Sequence, residues 1–194
     1  MRLNKVNCAV MLATTLVAGN VSAASMADQI KARAAEMNEL KTLLASPDAA
    51  TRIAAIDVMQ KSSDLAMREL AYAAGINADD EAVVALTIRN KFNEIDSFSI
   101  RFELPENATE EYKKAHTDYA GQILVKVNKY DPVKATFNSS SNHSSGSRTS
   151  TITGSTLHIA TNYCSGKLAL NDELLFTGTL SCEKFQFPAT LQLF

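Results

Sequence analysis

The chain has 194 residues, 46% of them hydrophobic, which is enough for one large domain or two small ones with a sizeable buried core. Its 19 basic and 21 acidic residues give a net charge of −2, and no segment carries a basic stripe. Nucleic acid and anionic membrane surfaces are therefore not expected partners.

Met1–Ala23 reads as a cleavable signal peptide. Arg2 and Lys5 form a basic start, Cys8 to Gly19 is mainly apolar, and Val21-Ser22-Ala23 places small residues before a cut ahead of Ala24. The mature chain then holds 17 basic and 21 acidic residues and no apolar run long enough to span a membrane. A periplasmic or secreted location follows. In an oxidising compartment the two cysteines of the mature chain, Cys164 and Cys182, are expected to form one structural disulfide.

From Met26 to Ala45, Ile30, Ala34, Met37, Leu40 and Leu44 recur at spacings of three and four, which predicts a helix with one apolar face. Ser46 to Phe92 then repeats every sixteen residues, with Asp48, Asp64 and Asp80 in register and Arg52, Arg68 or Val84 four positions after each. An Asp ahead of an Ala-rich apolar run can accept the free amides of a first helical turn, so three short helices are predicted near Ala49–Met59, Asp64–Ala74 and Asp80–Phe92. Short links make successive helices neighbours in space. The run Leu43-Leu44-Ala45-Ser46-Pro47-Asp48-Ala49-Ala50-Thr51-Arg52-Ile53-Ala54-Ala55-Ile56 resembles a HEAT-like helical repeat, in which a Pro-Asp turn leads into Arg-x-Ala-Ala-x. Val84 departs from that pattern where an Arg would stand. The resemblance covers residues 43–92 and implies a scaffold that presents a surface to a partner.

After Phe92 the period changes from helical to alternating. Ser97–Leu104 reads as a strand stopped by Pro105, and a helix follows over residues 107–120, with Asn107 and Glu110 at capping-box spacing and Gly121 at its end. Its stripe of Tyr112, Ala115, His116 and Tyr119 is expected to dock on a sheet. Further strands are predicted at Ile123–Val127, Lys134–Phe137, Thr151–Ala160, Gly166–Leu170, Leu174–Ser181 and Phe187–Leu193, seven in all. Asn171-Asp172 marks a hairpin turn, and Gly154 and Gly178 read as glycines inside strands, where a bulge or a close backbone approach is the usual cause. Asn138 to Ser150 contains no apolar residue and reads as a mobile, solvated loop. Its hydroxyls and amides suit a polar ligand, with Asn142, His143 and Arg148 as candidate contact residues.

The fold class expected is α+β: a helical-repeat bundle over residues 24–95, then a disulfide-pinned domain over 96–194 built as an antiparallel sheet or small sandwich with one helix. No catalytic constellation stands out. His116, His143 and His158 show no metal-ligand spacing, no Gly-x-Ser-x-Gly elbow occurs, and no phosphate loop or dinucleotide fingerprint is present. No cofactor is expected. The function expected is an exported binding protein that contacts another protein, for instance as an inhibitor. The alternatives are a periplasmic hydrolase with a site where the two regions meet, and a glycan-binding module.

Overall fold

A computed structural model describes residues 25–194. The expected signal peptide and its cleavage site lie outside the described residues. The chain divides into two compact units, one ending at Glu36 and one spanning Met37–Phe194, with helix α1 (Met26–Leu44) running through the boundary. In the first unit Ser25 Oγ accepts the Asp28 amide at 3.2 Å and donates to its carboxylate at 2.7 Å, and Arg33 pairs with Glu36 at 2.7 Å. Ile30 is 62% exposed, so the apolar face predicted along this helix is buried only toward its end, at Leu40 and Leu44.

The second unit begins with α2 (Ala49–Gln60), α3 (Leu65–Ile76) and α4 (Glu81–Glu94). All three aspartates of the sixteen-residue register are N-caps: Asp48 accepts from the Thr51 amide, Asp64 from Ala66 and Met67, and Asp80 from Ala82. Each such cap stabilises by about 1 kcal/mol. Arg52 donates to the Ser46 carbonyl at 2.6 Å and Arg68 pairs with Glu94 at 3.0 Å. Val84 breaks the pattern because its side chain packs against the barrel core, where a guanidinium would be desolvated. Gln60, 3% exposed, joins the three helices: its amide donates to the Ala71 carbonyl at 3.3 Å and to Thr87 Oγ1 at 3.1 Å, and accepts from Asn90 at 2.8 Å.

The β region is a closed eight-stranded antiparallel barrel, not the sheet or sandwich expected from the sequence. Its strands are β1 (Ser97–Phe102), β2 (Gln122–Asp131), β3 (Thr136–Ser141), β4 (Arg148–Thr153), β5 (Thr156–Ala160), β6 (Cys164–Leu170), β7 (Leu175–Cys182) and β8 (Phe185–Gln192). Closure comes from β1, which pairs with β2 on one side and with β8 on the other through Arg101↔Thr190 and Phe102↔Ala189. An all-antiparallel meander closes only with an even number of strands. The eighth arises because the single strand predicted over Thr151–Ala160 folds back at Gly154-Ser155, with Gly154 at φ +57 in the first position of a two-residue turn. Gly154 is thus a turn residue, whereas Gly178 is a true close approach: a Cβ there would lie 2.0 Å from the Lys167 carbonyl oxygen.

Eight strands leave an interior just wide enough to be filled by side chains. Phe137, Phe176, Phe187, Ile100, Ile123, Leu157, Leu168, Leu180 and Leu191 fill it, each at most 1% exposed. Most outward positions are polar, for example Lys126, Thr149, His158, Lys167, Thr179 and Gln186, with Leu124 and Ala169 among the exceptions, so no continuous lipid-facing band runs round the barrel. Both ends are covered by helices. At one end Phe92 of α4 is fully buried and stacks on Phe137 at 5.5 Å, edge-on to Phe98 at 5.4 Å, a burial that stabilises by about 2–3 kcal/mol. At the other, α5 (Glu110–Asp118) lays Tyr112, Ala115 and His116 against Phe102, Phe185 and Phe187, as the predicted stripe required. Its N-cap is Thr109 and not Asn107, because a turn closed by Ala108 N–H to the Pro105 carbonyl occupies Asn107.

The serine-rich stretch is not a mobile loop. Residues 136–141 and 148–153 form β3 and β4, with Ser139, Ser141 and Ser150 facing inward and at most 8% exposed. The hydroxyls of Ser139 and Ser150 replace a missing piece of the sheet. The β4–β5 ladder ends at Thr151↔His158, so Ala160 lacks backbone partners on that side. Ser150 Oγ accepts the Ala160 amide at 2.9 Å, Ser139 Oγ donates to the Ala160 carbonyl at 2.6 Å, and the two hydroxyls meet at 2.6 Å. Cys164 and Cys182, both buried, form the expected disulfide across the β6–β7 pair, with Cα atoms 4.0 Å apart beside the Glu183-Lys184 turn.

Candidate binding groove

A groove of about 680 Å³ runs between α2, α4 and the β2–β3 connection. Local sequence shapes each wall. On α2, Ala50, Ile53, Ala54 and Asp57 recur at helical spacing and line one side, while Leu86, Arg89, Asn90 and Asn93 of α4 line the other. The third side depends on a β-bulge. Lys129 adopts φ +52, and the β2–β3 register shifts between Asn128 and Asp131. The extra residue moves the inward side of β2 from odd to even positions, so Lys129 faces solvent and Tyr130 turns against the core edge. Asp131 Oδ1 then accepts the amides of Val133 and Lys134 at 3.0 and 3.1 Å, an Asx turn that carries Pro132 to the groove.

Most of the polar groups here satisfy one another. Asp57 takes the Lys61 ammonium at 2.7 Å and the Asn90 amide at 3.0 Å. Burial pushes the Asp57 carboxyl upward, but those two donors outweigh it and hold the group below the usual carboxylate range. Among the described residues three groups of the lining are left over: the exposed Asn93 amide, Arg89 and the Tyr130 hydroxyl. Arg89 makes no ion pair among the described residues, and the Tyr130 hydroxyl is buried without a hydrogen-bond partner. Burial raises the Tyr130 phenol pKa, with the Arg89 charge opposing and Asp131 adding to the shift.

The residues singled out from the sequence lie elsewhere. Asn142 and His143 sit in the β3–β4 connection, which is tied to the barrel. Asn142 exchanges hydrogen bonds with the Leu124 backbone at 3.0 and 3.1 Å and touches His143 Nε2 at 3.1 Å, and the His143 ring stands edge-on to Tyr119 at 4.8 Å. Arg148 opens β4 opposite Ser139, with an exposed side chain. His116 Nε2 meets the Phe102 carbonyl at 3.0 Å, and His158 is exposed on the outer face of β5. No histidine nitrogen among the described residues bonds a serine or a carboxylate, and no cluster of three or more potential metal ligands occurs among them. Sequence reasoning missed Arg89 and Tyr130. The Arg89 spacing has no signature, and the only local sign for Tyr130 was the Asp131-Pro132 turn after it.

No described helix is long and apolar enough to cross a membrane. Comparison with protein-family models, with curated proteins and with solved structures returns no match for the chain. The HEAT-like resemblance of residues 43–92 therefore rests on those residues alone.

Proposed function

We propose that this chain is an exported binding protein, with no catalytic role of its own, that receives its ligand in the groove between α2, α4 and the β2–β3 connection. The supporting observation is the groove's composition: an apolar floor bordered by the exposed Arg89, which makes no ion pair among the described residues, and by Tyr130, whose buried hydroxyl has no hydrogen-bond partner among them. Pockets of this size with few convergent polar groups are what binding sites look like. Export to a periplasmic or extracellular setting is supported by the leader sequence and by the buried Cys164–Cys182 disulfide. A hydrolase reading has less behind it, since His116, His143 and His158 are dispersed and none is placed to activate a hydroxyl.

The test is site-specific photo-crosslinking of the mature chain in extract from its own source. A benzophenone side chain at exposed Ala54 should yield discrete adducts, and one at exposed Lys167 on the outer face of β6 should not. An adduct of protein size identifies a protein partner, and a small mass increment identifies a small ligand. Equal labelling at the two positions would refute the groove as the binding site.

A further inference from the structure

We infer that the occupant of this groove is a small amphipathic carboxylate, an apolar chain or ring system carrying one acid group; the inference rests on the reading of the groove as the binding site. The shape and the lining set the apolar part: Ala50, Ile53, Ala54, Leu86 and Pro132 offer methyl and methylene surface over much of the 680 Å³. Such a surface favours an alkyl or aryl body in proportion to the area it covers. The acid group is set by what remains. The Lys61 charge is already partnered by Asp57, and the Asn90 amide hydrogens go to Asp57 and Gln60, so a ligand acid gains less from either than from a cation with no partner. Arg89 is the cation of the lining that has no carboxylate partner among the described residues, and its side chain is exposed at the groove. A guanidinium recognises a carboxylate in a two-pronged geometry that an alcohol or amide does not reproduce. The Tyr130 ring borders the groove, but its hydroxyl oxygen is itself buried, so the acid group is assigned to Arg89 alone. A ligand cation is disfavoured by Arg89, and a strongly polar ligand such as a sugar would leave most of its hydroxyls facing methyl groups without partners.

The experiment is calorimetric titration of the mature chain with sodium dodecanoate below its micelle concentration, with dodecanol as the uncharged homologue. Dodecanoate should bind at one site and dodecanol more weakly. Arg89→Met keeps an unbranched apolar stem and removes the guanidinium, and should weaken dodecanoate about tenfold while leaving dodecanol unchanged. Ala54→Trp fills the groove from an exposed position and should abolish both. Circular dichroism confirms that the two variants fold. Absence of dodecanoate binding, or equal binding of acid and alcohol in wild type and Arg89→Met, overturns the carboxylate assignment. If dodecanoate fails while Ala54 still crosslinks selectively, the ligand class falls and the groove stands. If dodecanoate fails and Ala54 labels no better than Lys167, both fall together.

Discussion

Removing the Ser150 hydroxyl tests whether the serines inside the barrel are structural hydrogen-bonding groups or only small fillers. In Ser150→Ala the Ala160 amide loses its acceptor at 2.9 Å, and the Ser139 hydroxyl loses a neighbour at 2.6 Å. No backbone group replaces them, because the β4–β5 ladder has already ended at Thr151↔His158. An orphaned buried amide costs about 1–3 kcal/mol, and since Ala160 itself is half-buried a loss of about 1–2 kcal/mol is expected. Ser139→Ala should cost less, because Ser150 Oγ already lies 3.4 Å from the Ala160 carbonyl and can turn to donate to it. The double variant removes that substitute as well, so its loss should exceed the sum of the two single losses. Urea unfolding gives these values directly, and a melting curve should fall by about 2–4 °C for each kcal/mol. Exposed Ser165→Ala serves as the control and should stay within about 0.5 kcal/mol of wild type. A Ser150→Ala protein with the wild-type midpoint and slope would refute the argument that these hydroxyls complete the sheet.

Gly178→Ala should destabilise by about 2 kcal/mol or more, since its Cβ must displace a carbonyl oxygen 2.0 Å away. Gly154→Ala meets no atom and should lose only the roughly 1 kcal/mol of a left-handed turn residue; thermal melts that reversed this order would contradict the close approach of β6 and β7. Reducing Cys164–Cys182, which closes a loop of sequence separation 18, should lower unfolding free energy by about 3 kcal/mol, measured by denaturant titration with and without reductant. Burial raises the phenol pKa values of Tyr72, Tyr119 and Tyr130, reinforced for Tyr72 by its hydrogen bond to Glu94. Their folded values thus lie above the unfolded value of about 10, so their contribution to stability is complete below that pH and is lost as pH rises through the folded values. Ultraviolet titration of the folded protein should show these phenolates forming late, and simultaneous ionisation of every tyrosine near pH ~10 before unfolding would contradict the burial.

The helical half of this protein was legible in its sequence because its determinants are local. Asp48, Asp64 and Asp80 cap helices through amides two or three residues away, a distance fixed by the chain itself. Alternation in Ser97–Leu104 and the Asn171-Asp172 turn were local in the same sense, and both are found where expected, in β1 and in the β6–β7 hairpin. The cysteine pair needed only a count and a compartment. Barrel closure was not local. It depends on β1 finding β8 at the far end of the domain and on Gly154 splitting one expected strand into two, and an alternating pattern is equally compatible with a sheet, a sandwich or a barrel. Composition misled at Asn138–Ser150 for a related reason: a serine counts as solvated until partners such as the Ala160 backbone are brought to it in three dimensions. The groove was decided the same way. Arg89 and Tyr130 border one groove only because a bulge at Lys129 turns one strand's faces over and α4 packs beside it, and neither event leaves a mark that spacing along the chain can carry.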